Sequence, residues 1–272
     1  MRQSTSSDVR LVAFDLDGTL VGRDLMIRPR VREAVARMQE AGIVGCIVTG
    51  RMYRAAVPFA RSLGFDGPLV CYQGAAIVDP QSDAVLRDVP LDPDAVADVI
   101  DLAERDGRHV QLYRNDEYYC EGRNRFSDLY ASLSGVQPVV VTSLRESFAG
   151  SPATKAVIID DPGPAGAYVD RLRNALGERA YVTRSYPEFI EVLNPRVDKG
   201  EALRFIAERA GVAMRQVAAI GDSWNDAPLL EAAGVGVAMG SAPPELRAVA
   251  TAIVADVEHD GVAEALERYV LA

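Results

Sequence analysis

The chain has 272 residues, of which 49% are hydrophobic and 25% are charged, and its formal net charge is -10 at pH 7. This is an ordinary composition for a globular protein with one or two domains and a sizeable core. The negative charge argues against non-specific nucleic-acid binding, which requires a basic surface.

Neither the N-terminal stretch nor the cysteines indicate export. The polar stretch from Met1 to Asp8 lacks the basic start and apolar run of a signal peptide. No stretch approaches the roughly 20 apolar residues that a membrane span requires. Cys46, Cys71 and Cys120 have no paired spacing, which indicates reduced thiols. We therefore expect a cytoplasmic protein with no membrane partner.

The first apolar run, residues 11–14, predicts a buried strand, and Asp15, Asp17 and Gly18 follow it closely. Ligands bind beyond the carboxyl ends of parallel strands, so these residues should stand at the mouth of a site. Alternation along an extended chain places both carboxylates on one side. Two close anions repel each other unless a cation lies between them, and Mg2+ takes oxygen ligands. The stretch therefore indicates a metal-assisted site with one carboxylate free to attack.

The same residues have two ordinary explanations, a surface turn and the start of a calcium-binding loop. A calcium loop needs further acidic positions and a closing Glu. Thr19, Val21 and Ile27 occupy the later positions, which excludes it. A plain turn is the commoner origin of an isolated Asp-x-Asp-Gly, but the apolar strand before it and the motifs after it favour a functional site.

The next elements bring a hydroxyl residue and a glycine to a second strand end. Helical spacing predicts a helix over residues 28–41, followed by a buried strand over 43–48. Thr49 and Gly50 come next, before a predicted helix over 52–63. This arrangement suits a phosphate group, because free N–H groups and the helix dipole attract anions. An ordinary Thr N-cap would give the same pattern.

The pattern changes near Pro90, after predicted strands over 69–72, 76–78 and 84–89. Helices then alternate with antiparallel strands. The predicted helices cover 92–105, 123–133 and 165–176, and the predicted strands cover 109–113, 117–121, 139–142, 155–160, 180–184 and 189–193. Such a mixture predicts an α+β module inserted into an α/β core, and we place it at residues 88–190.

Lys199 lies just before a predicted helix over residues 201–210. A cation at a helix N-terminus opposes the helix dipole, at little cost in water. It becomes useful where an anion must be held. The ordinary alternative is a surface lysine beside an aspartate N-cap.

A further apolar strand over 216–220 ends in Gly221 and Asp222, and a helix is predicted over 227–233. Asn225 or Asp226 would serve as its N-cap whatever the function, but a cap does not explain Asp222 at the strand end. The remaining predicted elements are strands over 236–239 and 252–254 and a C-terminal helix that opens at residue 260.

Four short motifs, in this order, resemble those of the haloacid dehalogenase-like (HAD) phosphohydrolases. They are Asp15-Leu16-Asp17-Gly18-Thr19, Thr49-Gly50-Arg51, Val197-Asp198-Lys199-Gly200 and Gly221-Asp222-Ser223-Trp224-Asn225-Asp226. The last two motifs, and the position and size of the insert, are similar to the Cof-type branch, subfamily IIB. The resemblance implies a Rossmann-type parallel-sheet core over residues 1–87 and 191–272, with an α+β (C2-type) cap domain over 88–190.

The resemblance also implies a role for each motif. Asp15 would be the nucleophile and Asp17 the general acid/base. The phosphate group would be bound by Thr49, Gly50, Lys199 and Asn225. Mg2+ would be held by Asp15, the Asp17 backbone carbonyl and Asp222, with Asp226 supporting the metal or Lys199 from behind.

Two positions depart from the pattern of the branch, and the sequence assigns neither a role. Gln73 stands where many relatives carry Asn. Ser241 also stands where relatives often have Asn.

The implied function is that of a Mg2+-dependent phosphatase acting on a small phosphorylated metabolite, such as a sugar phosphate or a nucleotide like FMN, through an aspartyl-phosphate. Two alternatives stay open: a HAD-type phosphomutase and a non-catalytic phosphometabolite-binding protein. The cap would select the substrate, and a monomer or homodimer is expected. The candidate cap contacts are Tyr113, Arg114, Tyr118, Tyr119, Arg123, Arg125 and Arg184.

Overall fold

The structure is a computed structural model and describes residues 8–272. The prediction made for the polar N-terminal stretch falls almost entirely on residues 1–7, which lie outside the described residues. Within residues 8–272, no helix is both long enough and apolar enough to cross a membrane.

The described chain alternates strands and helices along most of its length. The strands are β1 Leu11–Phe14, β2 Val44–Ile47, β3 Leu69–Cys71, β4 Ala76–Val78, β5 Val85–Asp88, β6 His109–Arg114, β7 Glu117–Cys120, β8 Val139–Val140, β9 Lys155–Ile159, β10 Tyr181–Tyr186, β11 Phe189–Leu193, β12 Val217–Gly221, β13 Val235–Ala238 and β14 Ala252–Ile253. The helices are α1 Pro29–Glu40, α2 Tyr53–Ser62, α3 Pro93–Arg105, α4 Arg125–Ser134, α5 Leu144–Ser147, α6 Pro162–Leu176, α7 Lys199–Arg209, α8 Ala227–Ala232, α9 Pro244–Val249 and α10 Gly261–Tyr269.

Strand β1 lies between β12 and β2 in a five-stranded parallel sheet with the order β14-β13-β12-β1-β2. Its side chains point alternately to two covered faces. Val12 and Phe14 share one apolar cluster with α1 and α10, whereas Leu11 and Ala13 share another with α7 and α8. A strand buried on both faces is apolar throughout, as the sequence of β1 is. The prediction of a Rossmann-type α/β core is confirmed.

The inserted segment forms a second sheet of six strands, in the order β10-β11-β9-β6-β7-β8. Its pairs are antiparallel except for the short parallel pair β7–β8. Helices α3 and α6 pack on one face, in an apolar cluster that includes Val96, Ile100 and Leu172. The predicted α+β character of the insert is confirmed.

The sheets suggest a small shift of the predicted cap boundaries. Strand β11 pairs with β9 and β10 along its length, so the cap sheet runs to Leu193 rather than stopping at residue 190. Strand β5 pairs with β4 in a separate three-stranded sheet, and Asp88 belongs to that sheet. We therefore propose a cap of residues 89–193, close to the predicted 88–190.

Short elements account for most differences from the predicted secondary structure. Helices α5 and α9 were not predicted, because helices of four and six residues are too short to show an apolar period. Helix α6 begins at Pro162, three residues before the predicted start, since a proline at the first turn lacks only an N–H that the helix leaves unpaired. The strand predicted over 139–142 covers only two residues.

We predict that Gly200→Ala destabilises the protein, although alanine is the better helix former. A Cβ at Gly200 in α7 would lie 2.4 Å from the backbone oxygen of Pro228 in α8. The overlap forces two packed helices apart, which costs about 1–3 kcal/mol. Urea denaturation measures the loss.

Gly163→Ala provides the matched control, because a Cβ there meets nothing within 4 Å in helix α6. The same substitution should then be neutral or raise the free energy of unfolding by up to about 1 kcal/mol. Equal stability changes for the two variants would contradict the packing argument.

Candidate active site

The four motifs meet where the central strands of the parallel sheet end. Asp15 follows β1 and Asp222 follows β12, its neighbour in the sheet, while Thr49 comes just after β2 on the other side. Lys199 begins helix α7, which packs beneath them. Because parallel neighbours end at the same edge, Asp15, Thr49 and Asp222 line one cleft, and Lys199 lies buried against Asp15.

A buried lysine holds two of the carboxylates. The Lys199 Nζ lies 2.5 Å from Asp15 Oδ1 and 2.6 Å from Asp226 Oδ1. The other oxygen of Asp226 accepts hydrogen bonds from the backbone N–H groups of Asp222 and Ser223, at 2.9 and 3.0 Å. Both oxygens of Asp226 are therefore engaged, one by Lys199 and the other by the turn after β12.

Lys199 is buried at the start of a helix, and neighbouring carboxylates keep its ammonium group charged there. Asp198 is the N-cap of α7, and its side chain accepts a hydrogen bond from the Glu201 N–H at 2.7 Å. Burial alone would lower the pKa of Lys199, but the carboxylates of Asp15 and Asp226 outweigh burial and raise it above its usual value. Lys199 is therefore a fixed positive charge.

The carboxylates are not fully neutralised. Burial, reinforced by the charges of Asp226 and Asp17, raises the pKa of Asp15 to about 7 despite Lys199. Burial and the charges of Asp15 and Asp226 also raise the pKa of Asp222 well above its usual range. Four carboxyl groups, those of Asp15, Asp17, Asp222 and Asp226, share two cations, Lys199 and Arg51.

The residues fit a divalent cation. Asp15, Asp222 and Asp226 each offer one oxygen, and these oxygens lie within 4.8 Å of one another. An all-oxygen donor set suits Mg2+. Gly18 makes the approach of Asp222 feasible, because its φ is +80° and a Cβ there would lie 2.2 Å from Asp222 Oδ2. Both oxygens of Asp226 are engaged, one by Lys199 and the other by the N–H groups of Asp222 and Ser223. Asp15, which contacts Lys199 through Oδ1, and Asp222 are therefore the better candidates for a metal.

Asp17 has a partner that the sequence did not reveal. Arg51 binds its carboxylate with two hydrogen bonds, at 2.7 and 2.6 Å. Arg51 belongs to the second motif and is 9% exposed. The position of Arg51 directly after Thr49 and Gly50 marks it as a residue near the site. Nothing in the local sequence indicates that its side chain contacts Asp17 of the first motif.

The cleft is also lined by Thr49, Gly50 and Asn225, the residues that the sequence predicts to bind phosphate. The Thr49 hydroxyl accepts a hydrogen bond from the Arg51 N–H at 3.1 Å, which fixes the turn. Gly50 is required because a Cβ there would lie 2.3 Å from Gln73 Nε2. The Gln73 side chain is buried, and its Oε1 lies 2.9 Å from Asn225 Nδ2.

Gln73 also connects this region to the cap. Its Nε2 donates a hydrogen bond to Glu191 Oε1 at 3.1 Å, and Lys155 Nζ lies 2.5 Å from the other Glu191 oxygen. Lys155 also donates to the Gly50 carbonyl at 2.8 Å. This cap–core bridge, formed by Lys155, Glu191 and Gln73, gives a role to one of the two departures from the family pattern. Ser241, the other departure, is exposed and does not line the cleft.

The bridge was not predicted from the sequence. Lys155 and Glu191 stand in the strands Lys155–Ile159 and Phe189–Leu193, each of which is otherwise apolar. A single charged residue in such a strand is the signal that was available, since buried charges are rare unless paired.

None of the predicted cap contacts is among the described residues that line the cleft. Tyr113 and Tyr118 are fully buried inside the cap, because alternate residues of a strand face inward. Arg114 stacks on Phe148 and Arg184 on Trp224, both with the guanidinium over the ring. The other three are Tyr119, which bonds Glu117, and Arg123 and Arg125, which pair with Asp128 and Asp161.

Other cap residues line the cleft opposite the carboxylates. They are Tyr130, Leu133, Ser134, Lys155, Ser185, Tyr186, Phe189 and Glu191. Their sequence neighbourhoods differ little from those of other aromatic and apolar residues, so only the packing of the cap over the core separates them from the rest.

Comparison with known proteins agrees with this geometry. A pyridoxal phosphate phosphatase of Escherichia coli (strain K12) is 29% identical over 271 residues, covering 96% of this chain and 99% of the relative. A 5-amino-6-(5-phospho-D-ribitylamino)uracil phosphatase of Bacillus subtilis (strain 168) is 30% identical over 268 residues, covering 95% and 97%. The crystal structure of a haloacid dehalogenase-like hydrolase from Bacteroides thetaiotaomicron superposes with a TM-score of 0.82 at 30% identity, covering 96% and 99%.

The family identity rests on nearly the whole chain. The sequence model of the haloacid dehalogenase-like hydrolases matches residues 12–266, a span that contains the core motifs and the insert. The motifs that resembled this family in the sequence come together in one cleft of the structure. The chain therefore belongs to the haloacid dehalogenase-like hydrolases, as its motifs predicted.

Proposed function

We propose that the chain is a Mg2+-dependent phosphatase that hydrolyses the monoester of a small phosphorylated metabolite. The contact between Asp15 and Lys199 carries this proposal. A carboxylate can attack an anionic phosphate only where fixed positive charge offsets the repulsion. Lys199, buried and 2.5 Å from Asp15, supplies such a charge at the end of β1.

The relatives support the class of substrate. The two curated relatives described above are named as phosphatases of pyridoxal phosphate and of a phosphoribitylamino-uracil. Both compounds are small phosphate monoesters. Each relative aligns with this chain over almost its full length, so the cap that covers the cleft here has a counterpart in both.

In the proposed reaction, a carboxylate oxygen of Asp15 attacks phosphorus and forms an aspartyl-phosphate. The P–O bond to the substrate breaks, and the leaving alcohol takes a proton from Asp17. Water then attacks the intermediate while Asp17 accepts a proton, which regenerates both side chains. Lys199 and the Thr49 turn stabilise the charge on the transferring oxygens.

The contact between Arg51 and Asp17 adds a step before this chemistry. The Asp17 carboxylate accepts hydrogen bonds from Nε and Nη2 of Arg51, so it must leave this partner before it can carry a proton to a leaving group. A bound phosphate offers Arg51 another anion with matching geometry. Substrate binding would thereby release Asp17 for acid–base work.

Mg2+ would be held by Asp15 and Asp222, with the backbone carbonyl of Asp17 as a third oxygen. When bound, the ion supplies positive charge that offsets the anionic phosphate and the surplus of carboxylates. Gly18 and Thr19 prepare this arrangement, because Gly18 leaves room for Asp222 and the Thr19 hydroxyl lies 3.3 Å from its Oδ1.

The direct test is release of inorganic phosphate from a panel of sugar phosphates, nucleotides, pyridoxal 5′-phosphate and p-nitrophenyl phosphate, with Mg2+ and with EDTA. Phosphate release that requires Mg2+ supports the proposal. Isomerised substrate with little free phosphate would instead favour a phosphomutase. Tight binding without turnover would favour a sensor of phosphorylated ligands.

We predict that Asp15→Asn loses phosphatase activity by a factor on the order of 10^4 or more, because the nucleophile is gone. The variant should stay folded, as circular dichroism can verify. Asp66→Asn is the matched control, since the Asp66 side chain is exposed and is not among the residues that line the cleft. Substantial turnover by Asp15→Asn would refute the assignment of the nucleophile.

We also predict that Mg2+ stabilises the free protein. At 100 times its Kd, the ion should raise the free energy of unfolding by about 2.7 kcal/mol. For a chain of this size, Tm should then rise by roughly 5–10 °C. The stabilisation should shrink as the pH falls below about 7, because burial raises the pKa of Asp15 to about 7 and protons then compete with the ion.

Thermal unfolding with and without Mg2+ measures this effect independently of activity. The Asp222→Asn variant should lose most of the rise in Tm, whereas Asp66→Asn should keep it. An equal rise in both variants would place the ion elsewhere.

A further inference from the structure

We propose that the substrate is the phosphate ester of an alcohol that carries a planar aromatic or heteroaromatic ring. This inference rests on the proposed phosphatase function and names the class of leaving group. In the reaction, the P–O ester bond breaks, the hydroxyl of water ends on phosphorus, and the ring-bearing alcohol departs with the proton from Asp17.

The cap presents an aromatic wall, formed by Tyr130, Tyr186 and Phe189, to the catalytic carboxylates. All three rings line the same cleft as Asp15 and Asp17. The ring centroids of Tyr130 and Phe189 are 5.8 Å apart, and those of Tyr186 and Phe189 are 5.2 Å apart. Such spacing offers ring faces and edges against which a further flat ring can pack.

The wall lies on the cap side of the cleft that Asp15 and Asp17 line from the core. A ring carried by the leaving alcohol would enter the part of the cleft that the wall lines. Leu133 continues the apolar surface from helix α4.

The aromatic wall is backed by further rings that hold it in place. Tyr130 packs against Tyr118 at a centroid distance of 4.8 Å and against Tyr113 at 5.8 Å. Both backing rings are fully buried. This support means that the wall is formed before substrate arrives, so binding costs little ordering of side chains.

The polar groups on the cap side of the cleft are largely engaged already. Lys155 and Glu191 bond to each other and to the core through the cap–core bridge. The Ser134 hydroxyl accepts a hydrogen bond from the Val136 N–H at 3.2 Å. Among the described cap residues of the cleft, the hydroxyl groups of Ser185 and Tyr186 remain for a ligand.

Two hydroxyl groups on the cap side are few partners for a sugar as leaving group. A sugar or open polyol carries several hydroxyl groups, and each one that is buried without a partner costs binding energy. A flat ring instead replaces water against apolar surface. The aromatic wall and the engaged polar groups therefore point to the same class of substrate.

Two matched esters test the inference. Benzyl phosphate and cyclohexylmethyl phosphate are both esters of primary alcohols with seven carbon atoms, and they differ in aromaticity. We expect kcat/KM for the benzyl ester to exceed that of the cyclohexylmethyl ester by about three- to tenfold, the range of ring–ring contacts. Pyridoxal 5′-phosphate should likewise exceed glucose 6-phosphate.

A variant shows whether the wall causes the preference. Phe189→Leu keeps an apolar side chain and removes the ring, so the ratio of kcat/KM between the two esters should fall towards one. Ser62→Ala, on the exposed end of α2, should keep the ratio of the native chain. The ratio can be read even if Phe189→Leu is partly destabilised, because both esters are measured on the same preparation.

The outcomes separate this inference from the proposed function. Equal or better hydrolysis of cyclohexylmethyl phosphate or glucose 6-phosphate would overturn the aromatic leaving group and leave the phosphatase intact. Absence of phosphate release from every ester, including p-nitrophenyl phosphate, would overturn the phosphatase. An unchanged ratio in Phe189→Leu would show that the wall does not select the ring.

Discussion

A single buried ammonium group organises the cleft. Lys199 contacts Asp15 and Asp226 at 2.5 and 2.6 Å, and the second oxygen of Asp226 holds the turn that carries Asp222. Removing one partner of a buried ion pair typically costs about 3–5 kcal/mol, because the remaining charge stays desolvated. Through this one contact, the end of β1, the start of α7 and the turn after β12 are held in a common geometry.

The crowding of carboxyl groups follows from the same arrangement. Lys199 is shared between two carboxylates and Arg51 is committed to Asp17, so Asp15 and Asp222 keep raised pKa values. Such crowding is unfavourable for an isolated protein and becomes favourable when a divalent cation enters. Without the cation, the crowded carboxyl groups of Asp15 and Asp222 therefore destabilise the site in which the reaction is proposed to occur. Perturbed pKa values of this kind are common in catalytic sites.

Residues of both the core and the cap line the cleft. The core supplies the carboxylates and the Thr49 turn, whereas the cap supplies the aromatic wall and two members of the cap–core bridge. Glu191 and Lys155 come from neighbouring cap strands and reach Gln73 and Gly50 of the core. The residues proposed to bind the phosphate are therefore connected physically to those that would meet the leaving group.

Local patterns in the sequence determined the strand ends, the helix starts and the motifs at each of them, because apolar runs and capping residues act over a few neighbours. Asp15, Thr49, Lys199 and Asp222 were singled out in this way, and the structure places Asp15, Thr49 and Asp222 in one cleft with Lys199 against Asp15. Tertiary structure alone decided that Arg51 binds Asp17, that Lys155 and Glu191 reach the core, and that Tyr130, Tyr186 and Phe189 face the carboxylates. These contacts join residues from 3 to over 100 positions apart, such as the 34 between Arg51 and Asp17 and the 118 between Gln73 and Glu191. Their partners are set by how distant segments pack, within the core for Arg51 and Asp17 and between cap and core for the bridge, which no local pattern encodes.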